Sequence, residues 1–313
     1  MTITLCWNVL LDSELINDVA AELGVDASFV EKDYYAVKVI RAIAGYSHDV
    51  ITPIFCGGTS LSKGYDILKR FSEDIDFRAQ FRNGIKPGKG MLRAFRHEIC
   101  DLVESIEGIT LDRERTRKGG SHFKVPLTYR HNADISLVLR PHLQLDFTYT
   151  QARCVPEERS ISSFMEQFSS DGSETRILCL HPVETAADKF CALLWRVNRR
   201  NRNDAKDDPA PIRHLHDLHD LKDHVDSMRK EFNELVNASF AGDQDTAGRR
   251  VDMTLRETIE KMLDRLNRDE LYEMEYDQFV SRMSYAKSKD TASFHDAIDF
   301  LSSLAEKFRW TNS

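Results

Sequence analysis

The sequence predicts an α+β fold, a mixed sheet core with flanking helices joined to a helical C-terminal domain. Short β-rich runs such as Val50-Ile51-Thr52-Pro53-Ile54-Phe55-Cys56 are interspersed with helical patterns up to about residue 180. After Pro182 the apolar residues keep helical spacing to about residue 308. The order (a helical start, a mixed middle, a helical half) predicts a core in 1–180 and a helical domain in 181–313.

The elements follow in order. Residues 12–46 read as helical, with Asp26 as an N-cap before Phe29, Val30, Tyr34, Val37, Ile40 and Ile43. Residues 50–56 read as a buried strand ended by two glycines, 60–70 as a helix, and 74–81 as a half-buried strand. A Gly- and Lys-rich loop covers 83–90 and a helix covers 91–106. Strands are expected at 109–116, 122–130 and 142–150, a mixed segment at 155–173, and a short strand at 175–180. Val183, Ala186, Ala187, Phe190, Leu194 and Val197 mark a helix over 182–200, and 201–212 is a polar loop.

Composition narrows the class. The 313 residues are 41% hydrophobic and 30% charged, enough to bury a sizeable core. No apolar run is long enough to cross a bilayer, and the N-terminus lacks the pattern of a signal peptide, so a cytoplasmic protein is expected. Cys6, Cys56, Cys100, Cys154, Cys179 and Cys191 form no C-x-x-C pair and sit among apolar neighbours, which reads as buried reduced thiols. Net charge is −8, yet basic residues crowd at Arg113, Arg115, Arg117, Lys118 and Lys124, and again at Arg196, Arg199, Arg200, Arg202 and Lys206. Such clusters mark a solvated surface or a phosphate site.

The chemistry concentrates in one unit. Residues i and i+2 of a strand share a face, so Asp74 and Asp76 present two carboxylates side by side while Ile75 and Phe77 face the core. Adjacent carboxylates repel unless a cation sits between them, and hard divalent ions prefer carboxylate and phosphate oxygens. Upstream, Gly57-Gly58 ends a strand and Thr59-Ser60 opens a helix, a turn that lets backbone amides approach an anion. Lys63 is followed by Gly64, so this is no Walker P-loop. Fifteen residues separate Gly58 from Asp74, enough for a helix and a tight return.

This combined pattern resembles the DNA polymerase beta-like nucleotidyltransferases. The resemblance implies a third carboxylate on a later strand. Asp146 in Leu143-Gln144-Leu145-Asp146-Phe147 fits that place; Asp134 lies in turn-like surroundings. More narrowly, Phe55 to Tyr65 with Arg70-Phe71-Ser72-Glu73-Asp74-Ile75-Asp76-Phe77 resembles the AbiEii/AbiGii toxin family. Glu31-Lys32-Asp33-Tyr34-Tyr35, the helix around Lys189, and Arg213-His214-Leu215-His216-Asp217-Leu218 are similar to that family's further motifs, with His214 where many relatives carry Asp.

The resemblance implies a metal-dependent nucleotidyltransferase toxin of a type IV toxin–antitoxin or abortive-infection system. The substrate would be an NTP, the cofactor Mg²⁺ or Mn²⁺, and the acceptor RNA, with the tRNA 3′ end modified by some relatives. A separately encoded antitoxin would be the partner. Asp74, Asp76 and Asp146 would hold metal, Gly57, Gly58, Thr59, Ser60 and Lys63 would hold the triphosphate, and Lys189 would reach a phosphate, with Arg196 and Arg200 along the same side of its helix. Asp217 would lie beside the site, with His214, His216 and His219 unassigned. Two other readings keep the motifs. The acceptor could be a protein or small molecule, nucleotidylated or phosphorylated, or the chain could bind NTP or antitoxin without catalysis.

Overall fold

The computed structural model describes residues 13–82, 85, 87–119, 121–134, 136, 139–168, 175–205, 207–244, 252–286 and 291–308. The expectations for the N-terminus with Cys6, for part of the 83–90 loop, for 169–173 and for Lys206 lie outside them. Two compact units emerge. The first takes Met1–Pro53, Glu73–Thr150 and Glu158–Leu178, and the second takes Ile54–Ser72, Gln151–Glu157 and Cys179–Ser313. A single cut at residue 180 therefore misses two inner segments that pack with the C-terminal part. Leu61 and Leu68 join the core of the second unit. Gln151–Glu157 is held there because Glu184 accepts from the backbone N–H groups of Arg153 and Cys154 at 2.9 and 2.8 Å.

The first unit begins with helices α1 (Ser13–Leu23) and α2 (Ala27–Ala44). The Asp26 carboxylate caps α2 by accepting from Ser28 N at 2.9 Å. Three consecutive charged residues of α2, Glu31, Lys32 and Asp33, are buried. Each is matched: Glu31 accepts from Asn132 N at 2.7 Å, Asp33 from Phe164 N at 2.7 Å, and Lys32 donates to Glu73 at 2.6 Å.

The sheet contains β1 (Ile51–Cys56), β2 (Asp74–Phe81), β3 (Ile109–Leu111), β4 (Arg117–Lys118), β5 (His122–Tyr129), β6 (Leu143–Thr148), β7 (Glu157–Ile161) and β8 (Thr175–Cys179). Its order is β3-β5-β6-β2-β1-β8-β7, with β4 on β5. The β2–β6 and β1–β8 pairs are parallel, whereas β5 runs antiparallel to β3, β4 and β6, so the sheet is mixed. On one face Phe77 stacks on Phe147 at 5.1 Å, and Phe95 of α4 (Lys89–Glu104) meets Phe147 edge-on at 5.4 Å. The strand expected at 109–116 stops at Leu111. Asp112 turns the chain there, accepting from Arg115 N at 3.0 Å through its side chain and from the Thr116 hydroxyl at 2.8 Å through its carbonyl. The undecided 155–173 segment forms β7 and α5 (Phe164–Phe168), the latter capped reciprocally by Ser163 and Glu166.

The second unit starts with α3 (Gly57–Lys63). The helix expected over 60–70 thus begins earlier and ends earlier. Gly64 N closes it on Ser60 O, and Asp66 adopts a φ of 56°, which turns the chain out of the helix. The helices α6 (Pro182–Arg199), α7 (Arg213–Asp220), α8 (Lys222–Ser227), α9 (Arg229–Gln244), α10 (Leu255–Arg268), α11 (Leu271–Met283) and α12 (Phe294–Glu306) follow. Phe190, Leu194, Leu215, Leu218, Phe232, Ile259 and Leu301 are among the buried side chains of their shared core. Capping boxes at Thr254/Glu257 and Ser293/Asp296 fix where α10 and α12 begin. Cys100, Cys179 and Cys191 are buried reduced thiols, and Cys56 and Cys154 are half-buried reduced thiols. Among the described residues no helix is long and apolar enough to cross a membrane.

Candidate active site

Strand pairing brings the three aspartates of the first unit onto one face. In the parallel β2–β6 ladder Asp76 stands opposite Asp146 and Asp74 opposite Gln144. Ile75, Phe77, Leu145 and Phe147 are buried on the other face, so alternation sends Asp74, Asp76 and Asp146 the same way. β5 adds Lys124, in register with Asp146. The Lys124 ammonium donates to Asp146 Oδ2, and Gln144 Nε2 donates to Oδ1 at 3.1 Å. Arg140 Nη2 donates to Asp74 Oδ1 at 2.7 Å. Burial pushes the Asp146 carboxyl above its usual range; the bond and charge of Lys124 oppose this, and the charge of Asp74 adds to it. The rival Asp134 is exposed and outside any strand.

Among the described residues no group of three or more His, Cys, Asp or Glu side chains stands close enough to hold a metal ion as they lie. The donor set nevertheless suits a hard divalent cation, being all carboxylate oxygen on one face. Basic side chains already rest against Asp74 and Asp146.

The Gly-Gly-Thr-Ser turn lies in the second unit. Gly57 has a φ of 77°, a left-handed conformation that favours glycine. Thr59 and Ser60 are buried, and the Ser60 hydroxyl donates to the Phe55 carbonyl at 3.3 Å, bracing the turn. Lys63 closes α3 and is half-buried. Beneath the turn lies a buried ion cluster. Arg70 Nε and Nη2 both donate to Asp217 at 2.6 Å, and Lys189 Nζ donates to Asp217 Oδ2 at 2.6 Å. A Cβ on Gly58 would stand 2.9 Å from Ser72 Oγ and 3.0 Å from Arg70 Nη2, which Asp217 pins. Gly58→Ala is expected to cost about 1–3 kcal/mol of stability through overpacking. Urea unfolding measures it, and a neutral result would mean that Arg70 and Ser72 yield.

Several expectations change. Lys189 does not lie on an open side of its helix; it is 7% exposed and tied to Asp217. α6 is buried around most of its girth, so a position beside the apolar stripe is still interior. Arg196 pairs with Asp208, and Arg200 with Asp207 and Glu275, so neither joins Lys189. Asp217 anchors Arg70 and Lys189. Of the first basic cluster, Lys124 reaches the carboxylate face, whereas Arg113 and Arg115 pair with Glu104 and Asp112. His216 is buried against Tyr276 and Phe279, and His219 lies against Phe300. Burial, with the nearby Lys189 charge, holds His214 well below the usual imidazole range. Arg70 and Glu73 stand in the sequence only within the motif that carries the resemblance, with no role of their own, and Arg140 not at all, because their partners are remote along the chain.

The fold is that of a nucleotidyltransferase. The chain belongs to the family described as "Nucleotidyl transferase AbiEii toxin, Type IV TA system", which matches residues 42–306. It is therefore a toxin-class nucleotidyltransferase; membership implies an NTP substrate, usually a divalent metal, and an antitoxin partner. Among solved structures it is similar to MenT4, a nucleotidyltransferase toxin from Mycobacterium tuberculosis H37Rv. The TM-score is 0.55 and the identity 16%, with 96% of this chain and 100% of that chain covered. A comparison with curated protein sequences gives no match.

Proposed function

We propose that this enzyme acts in the cytoplasm as a toxin restrained by a separately encoded antitoxin, transferring a nucleoside monophosphate from an NTP to RNA. The 3′ end of tRNA is the first acceptor to test, and Mg²⁺, or Mn²⁺ in its place, is the metal. The observation that carries the reading is the register of Asp76 against Asp146, with Asp74 two residues away on the same face. Asp74, Asp76 and Asp146 would hold the metal. When bound, the metal neutralises phosphate oxygens and steadies the attacking and leaving oxygens of an in-line displacement.

The chain's own groups supply the rest. Asp146 would also assist deprotonation of the acceptor hydroxyl. The backbone at Gly57 and Gly58 would bind the triphosphate, with Lys63 extending the contact. The Ser60 hydroxyl braces that turn. Asp217 holds Arg70 and Lys189 beneath it. Most of the rate then comes from positioning and charge stabilisation.

Purified protein incubated with Mg²⁺, total RNA and each labelled NTP tests this. Label is expected in RNA with at least one NTP. No label in RNA with any NTP would overturn the RNA-transferase reading. A nucleoside monophosphate or a lone phosphate found on a protein by mass would then redirect it to a different acceptor.

A further inference from the structure

Two basic side chains lie against the carboxylate face, and the reaction as described uses neither. Arg140 is built into place. Its backbone N–H donates to Glu73 Oε1 at 2.7 Å and its Nε to Glu73 Oε2 at 3.3 Å. Lys32, 4% exposed, donates to Glu73 Oε1 at 2.6 Å and to the Arg140 carbonyl at 2.7 Å. A run of polar contacts from α2 thus aims the guanidinium at Asp74. Lys124 is aimed differently, by its register opposite Asp146 on the neighbouring strand. Its side chain is 43% exposed and can swing while the strand stays fixed.

We infer that Lys124 and Arg140 are displaceable counter-cations that make metal binding depend on the nucleotide. This rests on the proposed function. In the free protein the two side chains neutralise Asp146 and Asp74. A divalent ion arriving alone must displace them from their aspartates and then sit beside two positive charges, which opposes binding. A triphosphate changes the balance, because its oxygens give Lys124 and Arg140 new partners while the metal takes the aspartates. Metal and NTP therefore favour each other, and by linkage the coupling is reciprocal. The buried Lys32–Glu73 pair keeps Arg140 within reach throughout.

The test is Mn²⁺ binding to the whole chain, read from the electron paramagnetic resonance signal of free Mn²⁺. It is run without nucleotide and then with a non-hydrolysable NTP analogue. Lys124→Met and Arg140→Met are compared with wild type and with Arg113→Met, which removes an exposed positive charge paired with Glu104 in the same unit. Without nucleotide, Lys124→Met and Arg140→Met are each expected to tighten Mn²⁺ binding by about three- to five-fold. Arg113→Met should leave it near wild type, and the analogue should enhance binding less in the first two variants. Lys124→Met alone suffices if Arg140→Met fails to fold. Unchanged or weaker Mn²⁺ binding by the variants, or an equal gain from Arg113→Met, would overturn the inference while leaving the metal site standing. Absence of Mn²⁺ binding in wild type and variants alike would overturn it together with the metal reading.

Discussion

Asp217→Asn is expected to lower stability by about 3–5 kcal/mol, because it leaves two buried cations without their anion. Asp217 is fully buried, and Arg70 and Lys189 are nearly so. Burial alone would raise the Asp217 carboxyl. The Arg70 and Lys189 charges more than offset this and hold it well below the usual carboxylate range. Asparagine keeps the size and one acceptor but loses the charge that makes the cluster tolerable. For a unit of this size such a loss corresponds to roughly 6–20 °C in Tm, readable by differential scanning calorimetry. Lys189→Met is the informative contrast. It removes one cation but leaves the two-pronged Arg70–Asp217 pair, so the loss should be clearly smaller. If the two substitutions destabilise equally, Asp217 is not the centre of the cluster. If Lys189→Met keeps the fold and abolishes nucleotide transfer, Lys189 acts on substrate as well.

This cluster shows where sequence reading stops. The alternation Asp74-Ile75-Asp76-Phe77 and the run Leu143 to Phe147 were legible, because a strand has a period of two and an acid among apolar residues stands out. Their meeting was not legible: no local pattern says that β6 lies beside β2, or that Asp76 falls opposite Asp146. Glu31, Lys32 and Asp33 stood out only through the resemblance; their burial depends on partners at Asn132, Glu73 and Phe164 that are remote along the chain. The burial of Lys189 had no local signal for a related reason. Its neutralising partner lies 28 residues on, and charge alone argues for exposure. Arg70 was placed at the end of a helix that in fact stops at Lys63, so its inward direction had no local signal. The helical half was legible as helices, but not the inclusion of Ile54–Ser72 in its core.

The second large effect separates activity from stability. Asp76→Asn is expected to reduce nucleotide transfer on the order of 10³-fold or more, as loss of a residue acting within a catalytic set does. Stability should change by no more than about 1 kcal/mol, the range of half-exposed substitutions away from a packed core. The physical basis is the register. Asp76 lies opposite Asp146 and two residues from Asp74, so three carboxylates crowd one face. Lys124 rests on Asp146 and Arg140 on Asp74. Asparagine keeps the size of Asp76 and its place on the strand while removing a charged oxygen that would hold the cation, so the melting temperature should hold as transfer collapses. This is the opposite of the outcome at Asp217, where fold and activity should fall together. Labelled-NTP incorporation and thermal unfolding on the same preparation decide it. An Asp76→Asn protein that still transfers nucleotide at near wild-type rate would remove Asp76 from the site, and one that unfolds would make its role structural.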